Sequence, residues 1–259
     1  EGEVMRIYTL NVNGFRGAEM QPGEYVSPQD LQMNLHNFMT LIGDIIADDQ
    51  SILIVQEFPH MTGDRSGRWF RWLENDFYNK CLETIKAKYR VIKPIHLIKS
   101  EQCTIAICKE TSPWEQITEE MIQYDSKHSY GNRLVELQYG DITLLGIHMK
   151  PNDLMWNMLL KAMNGKRKYT FIAGDFNAYE HRGDMKDKPK QIRAVGYTPF
   201  VPSSVITDTK FNSSIDNIYM DNEYMTAEEI TVDIRKSDAF QTDHLLCGIE
   251  FAEKKVRDD

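Results

Sequence analysis

No stretch of this 259-residue chain approaches the roughly 18 to 20 apolar residues that a membrane-spanning helix needs. The longest candidate, Leu41-Ile42-Gly43-Asp44-Ile45-Ile46, is interrupted by a charge, and no membrane association is expected. Cysteine is sparse. Cys81, Cys103, Cys108 and Cys247 form no CxxC pair, which argues against a zinc site or a disulfide framework and for reduced, mostly buried thiols. Positive charge is also short, with 30 Lys and Arg against 39 Asp and Glu and a net charge of −9. The whole-protein field therefore does not gather polyanions, and a nucleic acid substrate would need a local basic surface. There is no internal repeat and no low-complexity tract. The first residues, Glu1-Gly2-Glu3-Val4, carry no signal-peptide signature, so a cytoplasmic protein is expected unless processing has trimmed the start.

What is present is ordinary globular material. A hydrophobic content of 41% and a charged content of 27% give enough apolar surface for a core without a composition break, and one large α/β domain over residues 1–259 is expected. Val4 to Val12 reads as a strand ending in "NVNG". Ser27-Pro28 is an N-cap followed by Pro at the first helical position, and Leu31, Leu35, Phe38, Ile42, Ile45 and Ile46 recur at helical spacing. Ser51 to Val55 is almost wholly apolar and predicts a central strand buried on both faces, ending at Gln56-Glu57. Trp69, Phe70, Leu73, Phe77 and Leu82 predict a second helix, followed by strands over Tyr89 to Ile98 and Cys103 to Cys108. Residues 110–131 carry no readable pattern. Arg133 to Tyr139 and Ile142 to Met149 form a hairpin across Gly140-Asp141. Asp153 is expected to cap a helix from Leu154 to Asn164. Tyr169 to Ala173 is a β-forming run that Gly174 is expected to turn, and Ser213 to Met220 and His244 to Phe251 supply the last strands. Strands mixed with helices and a hairpin exclude a purely parallel sheet and point to a mixed-sheet α/β sandwich.

The polar residues at the strand ends are acids, amides and histidines: Asn11 and Asn13, Glu57, His148, Asp175 and Asn177, Asp216, and Asp243-His244. Strand ends are where layered α/β folds build sites, because loops vary there while strands fix position. Each residue also has a structural explanation. Asn11, Asn13, Asp175 and Asn177 are turn formers beside glycine, and a lone His148 is often a hydrogen-bonded core histidine. Glu57 is harder to explain structurally, since a carboxylate at the buried end of a central strand needs a partner charge or a metal. Asp216 interrupts an apolar strand, which favours a paired role. If the backbone stays extended past Gly174, Asp175 and Asn177 face one spot.

Together, "LNVNG", "VQE", "IHMKPN", "GDFNA", "SIDNIYM" and "TDH" resemble, in order and spacing, the endonuclease/exonuclease/phosphatase superfamily, which includes exonuclease III and deoxyribonuclease I. The resemblance runs from Met5 to about Phe251. It implies a four-layer α/β/β/α sandwich, two mixed β-sheets face to face with helices outside, and hydrolysis of phosphate esters with a divalent cation, Mg²⁺ or Mn²⁺. It further implies Glu57 as the principal metal ligand, with Asn11 beside it and Asp243 nearby. Asp175 would orient or deprotonate the attacking water, and Asn177 would bond the nucleophile or the phosphate. His244, its tautomer fixed by Asp216, would donate to a phosphate oxygen or act as the base instead. His148 would be an acid or a phosphate clamp, and Asn152, Lys150 and Asn13 would contact substrate. The His148-Met149-Lys150-Pro151-Asn152 segment has no Tyr where abasic-site endonucleases carry one, and no "GWR" precedes the Asp216 motif, which weighs against dedicated abasic-site repair.

A nucleic acid is therefore the expected substrate, DNA and RNA both remaining open, and no protein partner is inferable. Loops 58–68 and 179–190 carry arginines and lysines fit for phosphates, although their four acids also suit plain solvated loops. The alternative enzyme is a phosphatase or a lipid phosphodiesterase of the inositol-phosphate or sphingomyelinase type. A non-catalytic binding module on the same fold would be expected to have lost one of these groups, and Glu57, Asp175, Asn177, Asp216, Asp243 and His244 are all present.

Overall fold

The computed structural model describes residues 4–18, 27–60, 75–97, 102–118, 122, 130–165, 168–178, 185–224 and 230–252. In chain order the strands are β1 (Val4–Asn11), β2 (Ser51–Pro59), β3 (Arg90–Ile92), β4 (Gln102–Cys108), β5 (Glu115–Gln116), β6 (Leu134–Tyr139), β7 (Ile142–His148), β8 (Phe171–Asp175), β9 (Tyr197–Pro199), β10 (Asp216–Asp221), β11 (Ile230–Arg235) and β12 (Leu246–Ala252). The helices are α1 (Pro28–Ile45), α2 (Asn75–Lys86), α3 (Asp153–Met163) and α4 (Lys188–Ala194). Two six-stranded mixed sheets result, ordered β11-β12-β1-β2-β4-β3 and β5-β6-β7-β8-β10-β9.

Alternation along the central strands sorts side chains between layers. On β2, Ile52 and Ile54 face the second sheet, where they join Val135, Leu144, Ala173 and Ile218 in the inter-sheet core. Leu53 and Val55, pointing the other way, pack under Leu35, Phe38, Ile42 and Ile85 of α1 and α2. The second sheet repeats the arrangement, with Leu145, Ile147 and Ile172 beneath Trp156, Leu159 and Ile192 of α3 and α4. An all-apolar strand is thus buried on both sides, as the run Ser51 to Val55 predicts. Ser27 caps α1, its side chain accepting from the Asp30 N–H, with Pro28 at the first helical position. The β6–β7 hairpin closes with Tyr139 opposite Ile142 and Gly140 at φ 55°, a left-handed position that glycine takes without strain.

Several sequence expectations are corrected. Gly174 does not turn the chain: β8 runs through it, paired with Ile147 on one side and Asn217 on the other. A Cβ there would lie 1.8 Å from the Ile147 carbonyl oxygen, so glycine is needed for close strand approach. Asp216 opens β10 rather than interrupting it, because Ser213 pairs only as an isolated bridge with Asp208. The strand expected from Tyr89 is only Arg90–Ile92, and β2 continues beyond Val55 to Pro59 through a register shift between Val55 and Phe58. The cap of α3 is Asn152, in extended conformation with its side chain accepting from Met155 N, and Asp153 is already helical. Trp69, Phe70 and Leu73 lie outside the described residues, as do 61–68 and 179–184 of the two loops proposed for phosphate binding.

Strand direction gathers the polar residues. β1 and β2 are parallel, as are β7 and β8, so Asn11, paired with Gln56, and His148, paired with Asp175, lie at one rim of each sheet. β12 runs antiparallel to β1 and β10 antiparallel to β8, which brings the starts of β10 and β12 to the same rims.

Candidate active site

The two rims meet. Asn11 Nδ2 donates to Asp175 Oδ2 at 3.0 Å and to Glu57 Oε1 at 3.3 Å, so one carboxamide links a carboxylate of each sheet. Its oxygen accepts from the Asn13 N–H at 2.9 Å. His148 is buried at the end of β7, with Nε2 3.7 Å from Asp175 Oδ2 and 3.9 Å from Glu57 Oε1. Glu57 itself sits at the β2 irregularity with φ 52°, a strained conformation for a non-glycine residue, and is half-buried.

On the other side of Asp175, His244 Nδ1 lies 2.8 Å from Asp216 Oδ2, and both are buried. His244 Nε2 is 3.9 Å from Asp243 Oδ1. Thr242 ties this segment to β1, its hydroxyl donating to the Asn11 carbonyl at 2.8 Å. The carboxylate of Asp175 is oriented from both ends, since its Oδ1 accepts from the Asn177 N–H at 2.9 Å. Asn177 is not on an extended continuation of β8; it adopts φ 48° and donates through Nδ2 to the Met149 carbonyl at 2.9 Å.

Electrostatics separates the titratable groups. Burial and the neighbouring Asp216 charge push the Asp175 carboxyl up to about 8, against the opposing pull of His244 and the Asn11 and Asn177 donors. Burial would lower His244, but Asp216, by charge and hydrogen bond, and then Asp175 and Asp243 outweigh it and hold the imidazole well above its ordinary value. His148 goes the other way: burial, then Arg133, His244 and Lys150, keep it well below the ordinary histidine value and therefore neutral. One histidine is a cation and the other is not.

Ligand atoms of Asp175, Asp216 and His244 lie within 4.8 Å of one another, as do those of Asp208, Asp243 and His244. Asp216 Oδ1 is buried without a hydrogen-bond partner. An orphaned carboxylate oxygen among hard oxygen donors suits a divalent cation. Glu57 is differently placed: Arg16 Nη2 lies 3.3 Å from its Oε2 and supplies the partner charge that its position demands. A cation on Glu57 would also need the amide of Asn11 turned, because its nitrogen now faces the carboxylate.

Other sequence candidates have internal partners. Asn13 donates to the Gly17 carbonyl and accepts from Arg16. Asn152 Oδ1 caps α3, and Lys150 Nζ lies 5.4 Å from the centre of the Tyr130 ring. Sequence reading missed Arg16, Arg133 and Asp208. Arg16 follows directly on "LNVNGF", so extending that segment would have found it; Asp208 in "ITDTK" and Arg133 in "YGNRL" have no local signal.

No family model matches the sequence, and no curated protein matches it. Among solved structures it is similar to an endonuclease/exonuclease/phosphatase family protein from Leptotrichia buccalis, at 17% identity and TM-score 0.59 over 96% of this chain and 99% of that one. It is also similar to D. rerio TDP2 complexed with single strand DNA product, at 13% identity and TM-score 0.59 over 97% and 100%. A third is the 3' phosphatase NExo from Neisseria bound to a product DNA hairpin, at 12% identity and TM-score 0.59 over 96% and 100%. The four-layer sandwich expected from the sequence is the fold these structures share with it.

Proposed function

We propose that the protein is a metal-dependent phosphodiesterase, a phosphoric ester hydrolase acting on DNA or RNA. The observation that carries this reading is the convergence of Asp175, the Asp216–His244 pair, Asn11 and Glu57 from five strands onto one rim. The DNA products bound to two of the similar structures favour a nucleic acid over a lipid or an inositol phosphate.

Asp175 is the base. Asp175 acts in its ionised form, and once ionised a carboxyl lifted to about 8 is a much stronger base than an ordinary aspartate, its two oxygens held in place by Asn11 and Asn177. His244 already carries its proton and cannot accept another, so it stabilises charge on the phosphoryl oxygens instead, with Asp216 fixing the ring through Nδ1. Neutral His148 can donate one N–H to a phosphate oxygen but is a poor proton source. Glu57, Asp243 and the turned amide of Asn11 would hold the divalent cation, Mg²⁺ or Mn²⁺; the competing set is Asp175 with the free oxygen of Asp216. When bound, that ion neutralises charge building on the phosphoryl group and assists the leaving oxygen.

The test is cleavage of supercoiled plasmid and of labelled single-stranded DNA and RNA, with Mg²⁺ and with EDTA, wild type beside Asp175→Ala. Metal-dependent cleavage that the variant loses is expected. A folded wild-type protein that cleaves none of them would overturn the nuclease reading in favour of small phosphorylated substrates or lipid head groups.

A further inference from the structure

Register across the second sheet sets four residues in a row. Asp216 pairs with Asp175, Asp175 with His148, and Leu134 with Ile147, so Arg133 stands beside His148 one position out. With neighbouring strands about 4.8 Å apart, the row from Asp216 to Arg133 spans roughly 14 Å of rim. The reacting groups occupy one end of it. The other end is cationic.

Arg133 is half-buried at the end of the 3-10 turn Gly131–Arg133, and the carboxylates it feels most are Glu57 and Asp175. Among the described residues it nevertheless forms no ion pair, and its one hydrogen bond there runs from Nη1 to the His148 carbonyl at 3.2 Å. The remaining guanidinium donors have no acceptor among the described residues and are not buried, so they are open to an incoming anion. Lys150 stands alongside, over the Tyr130 ring, whose hydroxyl is 3.5 Å from Asn152 Oδ1. Burial and Arg133 lower the Lys150 ammonium, a like-charge strain that an anion between the two would relieve.

We propose that Arg133, with Lys150 beside it, binds a second phosphate of the substrate, one linkage away from the phosphate that reacts between Asp175 and His244. The substrate class is then one with at least two linked phosphates, a nucleic acid strand. Arg133 offers the planar fork that matches two phosphate oxygens, and Lys150 adds a point charge. This inference rests on the phosphodiesterase reading above and adds what that reading leaves open, namely how a net-acidic protein holds a polyanion.

The test compares wild type, Arg133→Gln, Arg133→Lys and the exposed control Arg193→Gln on a short single-stranded oligonucleotide and on bis(p-nitrophenyl) phosphate, which has one phosphate. Arg133→Gln is expected to lower kcat/KM on the oligonucleotide about 10- to 100-fold, mainly through KM, and by at least tenfold more than on the single-phosphate ester. Arg133→Lys recovers part of the loss. Equal losses on both substrates, or no loss on either, would overturn the proposal. Should Arg133→Gln not fold, Lys150→Gln is read by the same split. If wild type cleaves neither substrate, the hydrolase reading fails separately, and binding of the labelled oligonucleotide in EDTA decides this one: weaker binding by Arg133→Gln supports it and equal binding overturns it. Inhibition by a soluble small bisphosphate as strong as by the oligonucleotide would overturn the strand as the source of the second phosphate.

Discussion

Asn11 and Asp175, 164 residues apart and in different sheets, are joined by a 3.0 Å hydrogen bond from the Asn11 amide to the Asp175 carboxylate. That bond closes the rim of the sandwich where the proposed chemistry lies, and it helps to hold down the pKa of a carboxyl that burial raises.

Replacing Asn11 by Leu is accordingly expected to do two things. Stability falls by about 2 kcal/mol, the scale of a hydrogen bond to a charged acceptor, read from urea midpoints. The acid-side limb of the pH–rate profile, where the base ionises, moves to higher pH, since Asp175 loses a donor that favours its ionised form. An unmoved profile would exclude Asp175 as the base.

Asp175→Asn should abolish turnover and stabilise the metal-free fold. The folded carboxyl, at about 8, lies above its unfolded value, so the native state binds more protons than the unfolded one. Stability is highest below about pH 4 as far as this group is concerned, and is lost as pH rises through about 8. The Asn variant carries no such charge, so in EDTA its melting temperature should exceed wild type most clearly on the alkaline side. A variant that melts lower than wild type at alkaline pH would contradict the assignment of a destabilising buried charge.

Two ligand sets compete for the cation, and a thermal-shift titration separates them. If Glu57 anchors it, Mg²⁺ raises the melting temperature of wild type and of Asp216→Asn but not of Glu57→Gln; the reverse pattern moves the ion to Asp175 and Asp216. Glu57→Gln is expected to fold but to lose up to about 3 kcal/mol, because it takes a partner charge from the buried Arg16. Its activity should drop by at least about 10²-fold.

Gly174→Ala tests the β7–β8 seam. The added Cβ meets backbone, the Ile147 carbonyl at 1.8 Å, and no side-chain rotation relieves it. Loss at or beyond the upper end of the roughly 1–3 kcal/mol of overpacking is expected, together with loss of activity because His148 and Asp175 end those two strands. A variant as stable as wild type would mean that the seam is more widely spaced than described.

Local pattern in the sequence was enough for α1 with its Ser27 cap, the β6–β7 hairpin and the doubly buried β2, because capping, turn chemistry and apolar periodicity act over a few residues. The acids, amides and histidines at strand ends were legible for the same reason: a polar residue ending an apolar run is conspicuous. Local pattern misread Gly174, whose need for glycine comes from a neighbouring strand, and the cap of α3, where Asn152 and Asp153 are both able caps and backbone geometry picks the first. It could not see that Arg16 neutralises Glu57, that Asn11 spans to Asp175, or that Arg133, without an ion pair among the described residues, stands in a row with Asp216, Asp175 and His148. Those relations join residues far apart in the chain, and they exist only once parallel and antiparallel pairing has brought six strand ends to one rim, where burial and mutual charge set which groups hold protons.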